Sequence, residues 1–190
     1  MDLAALYQRS IDGFEARVAQ VRPDQWTAPT PCPGWDVRAL VNHVIGAERR
    51  AVPLLDGATA REIDDRFAGD LLGDDPRARC AEAAREARAA VSVPGAMRRM
   101  VHLSTGDIPA EEYLHQLLSE HVVHSWDLAV ATGSELHLDP DAVHAVTRWL
   151  AEREDVLRVS GVISAPVAVP DCASEQDQLI GAFGRDPHRG

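Results

Sequence analysis

Aromatic side chains are scarce in this sequence, at 5% of 190 residues, and cysteines number only three. Cys32, Cys80 and Cys172 are far apart and odd in number. They offer neither a disulfide framework nor the paired spacing of a cysteine metal site, and a reducing cytoplasm is the simplest setting. Positive charge is also in short supply: 19 Lys and Arg face 30 Asp and Glu, a formal net charge of -11. A field of that sign repels phosphate backbones and anionic lipid, so nucleic acid and membrane surfaces are excluded as expected partners. The pair Arg98 and Arg99 is too short a basic cluster to reverse this. No apolar run approaches the roughly 20 residues needed to span a bilayer. Residues 1–19 lack a basic start followed by an apolar stretch, so no signal peptide is expected. Internal repeats and low-complexity linkers are missing as well. The acidic surface is read as serving solubility.

What is present favours helices. The chain is rich in Ala, Arg, Asp and Glu, and at this length one core serves residues 1–190 as a single domain. Leu3, Leu6, Tyr7, Phe14 and Val18 recur at helical spacing and predict a first helix from about Leu3 to Val21. Pro23 closes it, and Pro29, Pro31, Pro33 and Gly34 make Trp26 to Gly34 a loop. Asp36 can cap a second helix with Val37, Leu40, Val41, Val44 and Ile45 as its apolar stripe, fading near Pro53. Asp56 to Asp74 reads as a loop with room for a helical turn. Asp75-Pro76 starts a third helix to about Val91, whose composition suggests that much of it faces solvent. Met97 to Leu103 reads equally well as extended chain or loop. Asp107 and Pro109 announce a fourth helix ending at Gly133, and Asp139-Pro140 a fifth running to about Ser160, with Gly161 as terminator. Ser174 and Asp177 resemble a capping box for a short helix that Gly184 would stop. Long amphipathic helices joined by loops predict an all-α, up-down bundle with sites between its helices.

One constellation carries chemistry. Glu120 and His124, four residues apart, share a helical face with Leu117 and Leu128. A carboxylate aimed at a core needs neutralising, and a dication would do so. His43 sits among Ala39, Leu40 and Ala47 on the second helix and would meet that pair if the two helices pack. Two imidazoles and a carboxylate leave positions open for water or substrate. Asp127, three residues after His124, is placed to orient a ligand or to receive a proton in catalysis. Spacing alone, however, more often produces a surface Glu–His pair, and a single core histidine is commonly bonded to backbone. His121 points about 100° away from Glu120 and reads as a surface or packing residue. His102, His115, His137, His144 and His188 have no matched partners. Cys32 reads as structural rather than nucleophilic, and Trp35 and Trp126 as core anchors.

The segment from Thr30 through Pro31, Cys32, Pro33, Gly34, Trp35 and Asp36 to His43 resembles the N-terminal signature of the mycothiol-dependent maleylpyruvate isomerase family. That family belongs to the DinB-like superfamily of metal-binding helical bundles. The stretch Glu120-His-Val-Val-His124-Ser-Trp-Asp127, running on to Gly133, is similar to the family's second motif. The tail from Ala182 to Pro187 is similar to the ending of an actinobacterial branch. The resemblance implies a DinB-like four-helix bundle with an additional helix and a loop-rich C-terminal tail. It also implies three metal ligands, His43, Glu120 and His124, with zinc the usual ion and nickel an alternative, and Asp127 as a catalytic residue. The isomerase carries a further C-terminal domain for which this chain has no room, so its own reaction does not transfer directly. What the resemblance implies is a cytoplasmic enzyme, a transferase or isomerase. Its metal would activate a small cellular thiol, mycothiol, against an electrophilic small molecule, and the chain would form a homodimer. The alternatives are a non-catalytic, metal-stapled bundle, a ligand-binding or stress-related module, and a hydrolase using metal-bound hydroxide.

Overall fold

The computed structural model describes residues 2–159, 161 and 163–188. Four long helices dominate it: α1 (Leu3–Gln20), α2 (Val37–Leu55), α4 (Pro76–Val91) and α5 (Ala110–Thr132). Between α2 and α4 lies the single turn α3 (Ala60–Ile63), and after α5 come α6 (Pro140–Ala151), α7 (Glu154–Val159) and α8 (Glu175–Ala182). Helix α1 packs on α4 and α5, α2 packs on the same two, and α6 bridges α5 to α8. Among the described residues no helix is long and apolar enough to cross a membrane.

The helices begin where local chemistry satisfies their first amides. Asp2, Asp36, Asp75 and Asp139 each accept a hydrogen bond from a backbone N–H of the first turn, and Ser174 accepts from Asp177 N at 3.1 Å. Pro76 and Pro140 occupy positions whose N–H has no helical partner. Helix α2 continues through Pro53 to Leu55 rather than fading at it.

The structure refines three expectations. The helical fold class holds, and the stretch left open between extended chain and loop is extended, as part of a small hairpin. Strands β1 (Met100–Leu103) and β2 (Gly106–Pro109) pair antiparallel, Val101 opposite Ile108 and His102 opposite Asp107. Asp107 therefore caps nothing; its carboxylate takes the His102 Nδ1 at 2.8 Å across the strands, and α5 starts at Ala110 without a side-chain cap. Helix α6 ends at Ala151, and α7 is separate; Ser160 lies outside the described residues. Much of helix α4 is open to solvent, as its composition suggests, but one side is not. Cys80, Ala83, Ala84, Ala87 and Val91 are buried, a small-residue side that lets α2 approach closely.

Helix α5 is enclosed on nearly every side, with Tyr113, Leu114, Leu118, Val122, Val123, Trp126 and Leu128 all buried. His121 is therefore a packing residue and not a surface one. Both its ring and the Glu48 side chain are essentially sealed, and Nε2 meets Glu48 Oε1 at 2.8 Å. Its Nδ1 lies 2.9 Å from the Leu117 carbonyl, and Tyr7 and Phe14 approach the ring edge-on. Burial lowers the His121 pKa, but the Glu48 carboxylate and the Leu117 carbonyl raise it by more, so it stands above its ordinary value. Removing one partner of such a pair strands the other. A Glu48→Ala variant is expected to lose ~3–5 kcal/mol in urea unfolding, with the double variant Glu48→Leu/His121→Leu recovering most of it. An unchanged midpoint for Glu48→Ala would remove the pair from the stabilising contacts.

Candidate metal centre

The Pro-rich loop before α2 is held by its own hydrogen bonds. Thr30 N donates to Trp35 O at 3.0 Å, Cys32 N donates to Thr30 Oγ1 at 3.2 Å, and Gly34 turns the chain with φ +79°. This turn directs the buried Cys32 thiol toward α5 and lays the Trp35 ring beside two histidines. The ring centroids of Trp35 and His43 are 4.8 Å apart, those of Trp35 and His124 6.0 Å. Trp35 is thus a wall of the site, whereas Trp126 is a core anchor, as expected.

Helix α2 sets His43 against both predicted ligand residues of α5, although the three do not form a group with all ligand atoms within 4.8 Å of one another. His43 Nε2 lies 3.3 Å from Glu120 Oε2, and the His43 and His124 rings meet edge to face with centroids 5.2 Å apart. The side chains of His43 and Glu120 are 32% and 39% exposed, so the group opens to solvent. Glu120 Oε2 itself is buried and has no hydrogen-bond partner, because the His43 contact is close but poorly aligned. Burial raises the Glu120 pKa; the adjacent His43 imidazole, with His124 and His121, lowers it by more, leaving the carboxyl below its ordinary value.

Behind His124 lies a second group. His124 Nδ1 donates to Asp127 Oδ2 at 2.9 Å, which leaves Nε2 for a ligand. Asp127 is fully buried and also accepts from Arg185 Nη2 at 2.9 Å, Arg185 Nε at 3.2 Å and the Cys32 thiol at 3.2 Å. Burial works against the Asp127 anion, and the His124 and Arg185 bonds outweigh it, keeping the pKa below its ordinary value. Burial, then the Asp127 charge, pushes the Cys32 thiol up to about 12, so it is a donor and not a thiolate.

Among the described residues, Cys32, His124 and Asp127 place their ligand atoms within 4.8 Å of one another. Compactness alone would make them the metal set. Yet the Arg185 guanidinium stands 3.1 Å from the sulfur and on both Asp127 oxygens, so that position already holds a cation. The orphaned Glu120 oxygen lies with His43, on the other side of His124's ring chemistry. A groove of about 570 Å³ beside Arg49, Arg66, Phe67, Glu86 and Arg99 contains none of these residues.

Two participants were missed from sequence. Glu48 follows Val41, Val44 and Ile45 at helical spacing, and a carboxylate in that stripe was a readable signal of a buried partner. Arg185 belongs to the tail motif, but nothing in its spacing points to residue 127. It arrives there because the turn after α8 packs without room for side chains. A Cβ on Gly184, at φ +81°, would lie 2.8 Å from both Ala165 O and Ser164 Cβ. Gly184→Ala is accordingly expected to loosen residues 164–185, seen as faster amide hydrogen exchange there with α1 and α5 unaffected.

Comparison with known proteins follows the same lines. The family model described as the mycothiol maleylpyruvate isomerase N-terminal domain matches residues 7–129. An uncharacterized protein of Mycobacterium tuberculosis is 33% identical over 158 residues, covering 80% of this chain and 79% of that protein, and a second strain's protein matches equally. The crystal structure of mycothiol-dependent maleylpyruvate isomerase superposes with a TM-score of 0.62 at 17% identity, over 81% of this chain and 70% of that one. A histidine-to-alanine mutant of it gives 0.64 at 16% identity over the same shares. At such identity the likeness shows the fold alone, a mainly helical one.

Proposed function

Because the chain belongs to the mycothiol maleylpyruvate isomerase N-terminal domain family, we propose that it is a metal-dependent enzyme that readies a small cellular thiol, mycothiol, for attack on an electrophilic small molecule. His43, Glu120 and His124 would hold one divalent ion, with zinc favoured by a set of two imidazoles and one carboxylate. The observation that carries this reading is the buried Glu120 Oε2 without a hydrogen-bond partner beside His43 Nε2. An unsatisfied carboxylate oxygen beside an imidazole is costly in a protein alone, and with the His124 imidazole next to His43 the residue types are those a dication takes. When bound, the ion supplies charge that lowers the pKa of a thiol sharing the site, giving a nucleophile at neutral pH.

The chain's own residues do the rest. His43 and Glu120 leave the ligand group open to solvent, which gives thiol and substrate a way in. Trp35 walls the imidazoles and keeps their faces dry. Asp127 holds His124 with Nδ1 as donor. Its complete burial and four donors support that orienting role over proton exchange with a substrate.

Metal content of the untagged protein by plasma mass spectrometry is expected to reach one divalent ion per chain, and to be lost in His43→Ala and His124→Ala. Full retention in both variants would rule the site out. Stripping the ion with a chelator is expected to leave the far-UV circular dichroism unchanged, because His43, Glu120 and His124 belong to neither apolar core. Extensive unfolding would instead favour a structural staple. Zinc-dependent conjugation of mycothiol to an electrophile, lost in the same variants, is the activity expected.

A further inference from the structure

The matched family segment ends at residue 129, yet the carboxylate behind His124 is bonded from residue 185. We propose that Arg185 is a positioning residue for His124, holding the imidazole through Asp127 so that Nδ1 donates and Nε2 is the ligating nitrogen. The inference rests on the reading of His43, Glu120 and His124 as ligands and deepens it.

The geometry is that of a built support. Arg185 engages both oxygens of Asp127 in a fork, Nε to Oδ1 and Nη2 to Oδ2, and the pair is almost wholly removed from solvent. Its Nη1 donates to Phe183 O at 2.8 Å, and Nη2 also reaches the Cys32 sulfur, so the guanidinium has one orientation available. The carboxylate plane is thereby fixed from one side while His124 Nδ1 reads it from the other. Without the fork, only the Cys32 thiol and His124 would hold Asp127, whose carboxylate could then rotate. The imidazole would lose its fixed acceptor and with it the bias between its two neutral forms. The loop bearing Cys32, helix α5 and the tail thus converge on one carboxylate, and among the described residues that bond it the guanidinium of the tail is the permanent cation.

The test is zinc affinity by chelator competition in the full chain, with the His124 ring ¹⁵N shifts of the metal-free protein as a second readout. Arg185→Ala is expected to weaken zinc binding about 10–100-fold, the range for loss of an outer partner of a metal ligand. The ¹⁵N signals should move from the Nδ1–H form toward a mixture. In an Asp127→Ala background, Arg185→Ala should add nothing, since it acts through that carboxylate. Where Arg185→Ala fails to fold, Arg185→Lys, which keeps the charge but not the fork, should show a partial loss. Wild-type affinity with unchanged ring signals would overturn the proposal, and so would losses that add across the two backgrounds. Zinc retained in His124→Ala would defeat the ligand reading instead, and the ring signals would still decide whether Arg185 positions His124.

Discussion

A helix packed on nearly every side has no solvent to relieve its polar groups, and α5 carries Glu120, His121, His124 and Asp127 within two turns. The sealed His121 and Asp127 take partners from other elements, Glu120 keeps a side open to solvent, and His124 is bonded within α5 by Asp127. Helix α2 supplies Glu48 for His121 and His43 for Glu120. The Pro-rich loop and the tail supply Cys32 and Arg185 for Asp127. Glu120 Oε2 is buried in this group without a hydrogen bond, on a side chain that is itself partly open to solvent. Glu48 Oε2 is also unpartnered, but it is sealed in the core beside Tyr7 and His121.

The two histidines of α5 show how neighbouring positions on one helix acquire different work. His121 sits deep, with acceptors at both nitrogens, and is committed to packing. His124, three residues on, has one nitrogen tied to Asp127 and lies in the group that opens to solvent. The difference comes from what stands opposite: Glu48, Tyr7 and Phe14 in one case, Trp35 and His43 in the other. The inner pair fixes α2 against α5, and that docking brings His43 to Glu120.

Much of this was legible in the sequence. The Asp-capped starts of α2, α4 and α6 and the apolar stripe of α2 are short-range signals, and they fall where spacing places them. The convergence of His43, Glu120 and His124 followed from two helical faces and a family resemblance. The angle of His121 to Glu120 left surface and packing both open, and packing holds because α5 is covered on that side too. The hairpin was obscured because Asp107 and Pro109 are helix-starting residues serving a strand. Gly106, at φ +127°, was the stronger signal. Glu48 was readable in its stripe. Arg185 was not, since its partner is set by how a turn packs against residues 164–165.

The Arg185–Asp127 pair also has a consequence in time. Translation releases α5 well before residue 185, so a nascent chain presents every residue of the ligand group while the carboxylate behind it still lacks its cation. Domains begin to fold as they emerge, and the Asp127 carboxylate lacks its guanidinium until the segment bearing residue 185 docks. Closure around Asp127 therefore waits for residue 185, and a nascent chain halted before that residue differs from one that carries it in the interior as well as in the tail.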